Sequence, residues 1–216
     1  MKHGRLNQRR IDSLRGKIQG RPYAILQPEH HADPLEFLHR LLNANISTIQ
    51  IRTKKLRSSD LQQFAAAAAR VIHNHDGLLI INDFVDIATA TGADGVHLGQ
   101  TDMTLTDARS LLGPNKLIGL STHNLTQLRQ AILEPIDYVA LGPIHQSPTK
   151  SGHAPEVGLK VLEEACTLSP LPVVAIGGIN EGNIAAIYAA GATCAAVISV
   201  LEKSTDLQKT ACALSY

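Results

Sequence analysis

The sequence predicts a single (β/α)8 (TIM) barrel, and three observations carry that expectation. Eight short apolar runs recur from residue 23 onward: YAIL, STIQI, LLII, GVHL, LIGL, DYVAL, PVVAI and CAAVIS. Stretches that read as helices or turns lie between them, and alternation of this kind implies a parallel sheet. Polar residues follow nearly every run, as at the mouth of a barrel. The alternative is an open doubly wound sheet, but no GxGxxG follows the first run, where such a fold would place one. A length of 216 residues suits one α/β unit of barrel size and is short for two.

Taken in order, the first 21 residues, MKHGRLNQRRIDSLRGKIQGR, are basic and lack the apolar stretch of a secretory signal. They read as a partly helical or frayed extension, packed across the barrel bottom or mobile, ahead of one catalytic domain spanning 22–216. Pro34 suits the first turn of a helix over LEFLHRLLN, because its missing N–H has no helical partner there. In SSDLQQFAAAAARVI, Ser59 and Gln62 have the spacing of a capping box before an alanine-rich helix. No linker, low-complexity tract or second domain interrupts the pattern.

Composition narrows the class. Hydrophobic residues make up 44% and charged residues 18%, enough for a sizeable core. A net charge of +1 offers no general attraction to nucleic acid or to a membrane surface. No apolar run reaches the roughly 18 residues of a membrane span. Cys166, Cys194 and Cys212 have no CxxC or Cys/His metal spacing and read as reduced thiols of a cytoplasmic protein.

In a barrel, the C-terminal ends of all strands meet at one mouth. The second run ends in Gln50, Arg52 and Lys54, which alternate with Ile49 and Ile51 and so share a direction. The third ends in Asn82 and Asp83, the fourth leads to Asp102, and the fifth ends in Ser121, Thr122 and His123. After the sixth comes GPIHQSPTKSG, with Ser147, Thr149 and Lys150. The mouth thus gathers three cations (Arg52, Lys54, Lys150) and two carboxylates (Asp83, Asp102). Two hard oxygen ligands beside cations suit a Mg²⁺ that keeps several waters and binds a polyphosphate. Arg52 would engage phosphate oxygens by its fork and the lysines as point charges. Gly177 and Gly178, with Ser199 after the last run, form a second anion site where barrels usually hold a monophosphate. Asp83 has a second reading as a helix cap. His97 reads as a partnered core histidine, and His30 and His31 fall in a loop without an assignable role.

QIRTK, INDFVDIATATGADGVHLGQTD, IGLSTH, DYVALGPIHQSPTK, VVAIGGI and AVIS, in this order and spacing from Tyr23 to about Lys203, resemble the thiamine phosphate synthase family. The resemblance implies a transferase that joins a hydroxymethylpyrimidine diphosphate to a hydroxyethylthiazole phosphate, giving thiamine phosphate and pyrophosphate with Mg²⁺. It places Gln50, Ile51, Arg52, Thr53, Lys54, Asn82, Ser121 and Lys150 on the pyrimidine diphosphate, and Asp83 and Asp102 on the metal. Ser147, Pro148, Thr149, Gly178, Ile198 and Ser199 fall on the thiazole phosphate. Arg52, Lys54 and Lys150 carry the catalytic charge stabilisation. The chain departs from the family at ILQPEHH after the first run and at His145-Gln146-Ser147-Pro148, which alters the apolar wall of the thiazole site. The same-fold alternative is a thiazole tautomerase, for which His123 is the candidate acid–base residue. A non-catalytic barrel that binds thiamine precursors is the alternative from another class. The sequence leaves the oligomeric state open.

Overall fold

The computed structural model describes residues 2–146 and 155–216, with side chains from Gln8 onward. Helix α1 (Lys2–Ile18) leads into β1 (Pro22–Leu26), α2 (Pro34–Asn43), β2 (Thr48–Ile51) and α3 (Ser58–His73). Then follow β3 (Leu78–Asn82), α4 (Val85–Thr91), β4 (Gly95–Leu98), α5 (Leu105–Leu112) and β5 (Leu117–Thr122). The second half continues with α6 (Leu125–Ala131), β6 (Tyr138–Leu141), α7 (Gly158–Leu168), β7 (Val173–Ile176) and α8 (Ile184–Ala189). It ends in β8 (Cys194–Val197), α9 (Ser199–Glu202) and α10 (Leu207–Ala213). The strands form a closed parallel barrel in sequence order, with β8 pairing back onto β1. All eight apolar runs are strands of this barrel, as the sequence predicts.

Alternation along each strand separates two apolar layers. Ile49, Ile51, Leu79, Ile81, Val96, Leu98, Val139 and Leu141 pack outward in the large cluster that includes residues of the helices. Ile25, Ile80, Ala140, Val174 and Ala196 belong to a second cluster, which fills the barrel. Both faces are covered, which is why these strands read as near-continuous apolar runs.

Two local expectations meet different outcomes. Asp33 caps α2, accepting from the amides of Leu35 (3.0 Å) and Glu36 (2.9 Å), with Pro34 in the first turn. The capping box in α3 does not form. The helix begins at Ser58, two residues earlier than the box requires, so Ser59 lies inside the first turn and donates to Asp60 at 3.3 Å. Arg57 pairs with Asp60 at 2.9 Å across that turn instead.

Helix α1 lies across the N-terminal face of the barrel. Its partners include residues of segments that lead into strands: Asp76 before β3, Pro114 before β5, Asp137 before β6 and Pro170 before β7. Ile11, Leu14 and Ile18 form its buried stripe, and Leu14 and Ile18 join the barrel-filling cluster. The basic side chains between these positions reach carbonyls and carboxylates around the rim, so the extension is a helical floor.

Asp137 anchors this floor. Its carboxylate is wholly buried and accepts from Arg10 (2.5 Å), Arg109 (2.7 Å) and the Ile118 amide (2.8 Å). Removing one partner of such a group leaves a poorly compensated buried charge. Arg109→Ala is expected to lower the unfolding free energy by about 3–5 kcal/mol in urea denaturation. Arg57→Ala, which removes an exposed pair, is expected to leave the urea midpoint nearly unchanged.

Candidate active site

The C-terminal face opens into a cavity of ≈ 1010 Å³. Arg52 and Lys54 after β2 line it, with Ser121 and His123 from the end of β5. On the far side are Gly177, Gly178, Ile198 and Ser199. The cation pair and the glycine turn, far apart in sequence, therefore share one chamber.

Strand β2 divides the predicted QIRTK residues by direction. Gln50 is buried inside the barrel, and its amide donates to Tyr23 at 3.0 Å. Ile51 points outward into the helix layer, leaving its backbone as the part that can face a ligand. Thr53 is buried and its hydroxyl accepts from the amides of Lys55 and Leu56, both at 3.1 Å, so it shapes the turn that carries Arg52 and Lys54. The Lys54 amide donates to Glu29 at 3.0 Å, tying this turn to the loop after β1.

Asn82 ends β3, mostly buried, and Asp83 follows it in the left-handed region at φ 67°. Helix α4 has Phe84 at its N-cap and no side-chain cap, so Asp83 does not serve as one. Asp102 folds back to accept from the Gly99 amide at 2.6 Å. Burial and the Asp102 carboxylate beside it push Asp83 up from its ordinary value to about 6, with the Arg52 guanidinium and Asn82 opposing the rise. Two carboxylates held together against their repulsion, next to an arginine, make a place for a cation and an anion at once.

The opposite wall is built for close approach. Gly177 and Gly178 have φ of 105° and 63°. A Cβ on Gly178 would stand 2.7 Å from the Gln146 carbonyl oxygen and from the His145 Cβ. Glycine is thus required by conformation and by space, which leaves the turn's backbone open to an anion. Asn183 donates to the Gly178 carbonyl at 2.9 Å and fixes the turn from behind. Ile198 precedes the short α9, which starts at Ser199. Ser147, Pro148, Thr149 and Lys150 lie outside the described residues.

Several residues in and under the cavity were not among the expected site residues. Gln27, Lys203 and Lys209 line it. So does His30, which hydrogen-bonds Glu202 at 3.0 Å and ties the β1 loop to α9. His123 is held by its Nδ1, 2.6 Å from the Gly142 carbonyl oxygen. Below the mouth, Tyr23, Tyr138 and His97 link Gln50 to Ser121 by hydrogen bonds of 3.0, 3.1 and 2.8 Å. His97 is indeed a partnered core histidine, with Tyr138 and Ser121 of this polar row among its partners. Their signal in the sequence was parity: all three occupy inward positions of their strands.

The thiamine monophosphate synthase family model matches residues 22–201. A thiamine-phosphate synthase of Chlorobium phaeovibrioides is 38% identical over 186 residues, covering 86% of this chain and 89% of the relative. One of Gloeobacter violaceus is 38% identical over 190 residues and covers 88% of this chain, which in turn spans only 55% of that relative's length. Among solved structures, the thiamine phosphate pyrophosphorylase from Pyrococcus furiosus superposes with a TM-score of 0.84 at 29% identity, covering 93% of this chain and 95% of that one.

The carboxylate pair sets a pH dependence of stability without any ligand. The folded-state pKa of Asp83 is raised, so the folded protein holds this proton more tightly than the unfolded chain. The associated stability is fully present below the ordinary carboxylate value and is lost as pH rises through about 6. Asn tolerates positive φ as Asp does, so Asp83→Asn removes the charge and keeps the turn. In chelator-treated protein, this variant is expected to melt higher than the parent at pH 8, with the difference shrinking toward pH 5. A constant difference across that range would mean that the two carboxylates do not interact.

Proposed function

The chain belongs to the thiamine monophosphate synthase family, and on that premise we propose how its cavity joins a hydroxymethylpyrimidine diphosphate to a hydroxyethylthiazole phosphate. One observation supports this reading above the others. Arg52 and the glycine turn of Gly177 and Gly178 face one cavity, giving two anion-binding walls for two phosphorylated substrates. A tautomerase acting on one thiazole phosphate has no use for the first wall.

In this reading Arg52, Lys54 and Lys150 meet the diphosphate, Arg52 by its planar fork and the lysines as point charges. Gln50, Asn82 and Ser121 orient the pyrimidine end, while Ile51 and Thr53 supply backbone. Gly178, Ile198 and Ser199, with Ser147, Pro148 and Thr149, receive the thiazole phosphate. The C–O bond ionises, its electron pair leaves with pyrophosphate, and the thiazole nitrogen donates its own pair to the resulting pyrimidinylmethyl cation. No protein nucleophile takes part. The chain's contribution is fixed positive charge where the leaving group gains negative charge, and a wall that keeps water from the cation.

Asp83 and Asp102 fit Mg²⁺, since a half-buried carboxylate pushed up by burial and by a second carboxylate beside it calls for a cation. Among the described residues no cluster of three or more His, Cys, Asp or Glu could hold a metal ion. Two carboxylates suit an ion that completes its shell with water and phosphate oxygens. Bound there, Mg²⁺ would supply further positive charge to the leaving diphosphate. Among the described residues no helix is long and apolar enough to cross a membrane, and we place the reaction in the cytoplasm.

The direct test incubates the protein with both substrates and Mg²⁺ and seeks thiamine phosphate by mass spectrometry; absence of product at high enzyme concentration would sink the reading. Asp83→Asn, Asp102→Asn and Arg52→Ala are each expected to lower kcat by about a hundredfold or more, the scale of losing one charge-stabilising group. A variant that kept near-parental turnover at limiting Mg²⁺ would remove its residue from that role. Gly178→Ala should raise KM for the thiazole phosphate far more than KM for the pyrimidine diphosphate. The reverse result would move the second anion to another wall.

A further inference from the structure

Five side chains cross the barrel interior in one continuous hydrogen-bonded row. Gln50 Nε2 stands 3.0 Å from Tyr23 Oη, Tyr23 Oη 3.0 Å from Tyr138 Oη, and Tyr138 Oη 3.1 Å from His97 Nδ1. His97 Nε2 then lies 2.8 Å from Ser121 Oγ. The two ends are residues proposed above for the pyrimidine substrate, while the three middle members have no role in that scheme. Ser121, at one end of the row, borders the cavity.

Each hydroxyl in such a row has one proton, so the direction of the first bond sets all the others. The Gln50 amide donates to Tyr23. Tyr23 then gives its proton to Tyr138, and Tyr138 gives its own to His97 Nδ1. With Gln50 as the donor at the first bond, any other arrangement of the next three bonds leaves a buried hydroxyl proton without an acceptor in the row. With Nδ1 accepting, the neutral ring carries its proton on Nε2 and donates to Ser121 Oγ. The Ser121 proton is left to point into the cavity. Both phenols stay protonated, since burial pushes Tyr23 and Tyr138 up from the ordinary tyrosine value.

We propose that Tyr23, Tyr138 and His97 are positioning residues, a one-way hydrogen-bond row that holds His97 in its Nε2–H form and presents Ser121 as a donor to the bound pyrimidine substrate. Two features of the fold support the row. Gly119 pairs with Tyr138 across β5 and β6, and a Cβ on Gly119 would run into the Tyr138 ring. The missing side chain is thus the space the phenol occupies. From below, Leu14 and Ile18 of α1 pack with Tyr23, Tyr138, Leu78 and Ile80, leaving no room for a water. With water shut out below, the two phenols take their hydrogen-bond partners from the protein.

The assignment of Ser121 to the pyrimidine substrate rests on the proposed synthase reading; the direction of the row does not. The test therefore begins without substrate. Protein labelled with ¹⁵N-histidine, with the His97 signals assigned by their loss in His97→Asn, reports the tautomer by NMR. Parent protein is expected to show an unprotonated Nδ1 and a protonated, slowly exchanging Nε2. Tyr138→Phe removes the donor to Nδ1 and Tyr23→Phe cuts the link to Gln50, so each is expected to mix the tautomers. An Nδ1–H form in the parent, or an unaltered tautomer in both variants, overturns the proposal. If Tyr138→Phe does not fold, Tyr23→Phe decides alone. In the synthase assay each folded variant should raise KM for the pyrimidine diphosphate roughly tenfold, the scale of a misdirected hydrogen bond, with kcat and KM for the thiazole phosphate little changed. Equal rises in both KM values would mean general loosening and overturn the positioning role. A parent protein with the expected tautomer and no synthase activity would refute the proposed reaction and leave the row's direction standing.

Discussion

The interior of a closed eight-stranded barrel is filled by layers of four inward side chains drawn from alternate strands, and a polar group placed there must find its partners inside the protein. Most of this barrel meets that constraint with Ile25, Ile80, Leu117, Val174 and other apolar side chains. Elsewhere it places polar side chains inside: Gln50, Tyr23, Tyr138 and His97 are all buried. They are tolerable because they partner one another, and because the row ends at Ser121, beside the cavity. Unpartnered, each such group would cost about 1–3 kcal/mol. Gly119 is the complementary concession, a glycine inside a strand, which weakens it by roughly 0.5–1 kcal/mol relative to alanine but gives the Tyr138 ring its place.

The two ends of the barrel handle charge differently. At the bottom, Asp137 is enclosed by Arg10, Arg109 and the Ile118 amide, a closed arrangement with its partners already present. At the mouth, Asp83 and Asp102 face each other with Arg52 opposing only part of their repulsion. The first arrangement holds α1 onto the strand ends. The second is incomplete in the protein itself, and incompleteness of that kind is how a site keeps binding energy for what enters it.

What the sequence made legible follows from which physical signals are local. The eight strands were readable because parallel strands covered on both faces become apolar runs, and the mouth residues followed from parity at their ends. The α3 cap was misread because the N-cap position falls on Arg57, which makes no side-chain cap, and the pair Arg57–Asp60 favours that earlier start. The floor helix was left open because its composition is basic; the stripe Ile11, Leu14, Ile18 was present at helical spacing but short. The approach of Asp83 to Asp102 was not readable as a distance, since it depends on how the loops after β3 and β4 fold. The hydrogen-bonded row was harder still. Tyr23, His97 and Tyr138 each look like ordinary core residues, and only barrel closure brings β1, β4 and β6 to face one another.

This closure also explains why the helix at the bottom bears on chemistry at the top. An open-bottomed barrel would let water reach Tyr23 and Tyr138, and each phenol could then satisfy itself without its neighbour. The orientation of Gln50 would no longer carry through to Ser121. Leu14 and Ile18 prevent that by filling the space below the phenols. Helix α1 lies outside the segment matched by the family model, which begins at residue 22, yet its buried stripe touches the same tyrosines that connect the two ends of the polar row. A dry interior is therefore a condition for directional hydrogen bonding, and in this chain the dryness is supplied by residues outside the family-model match.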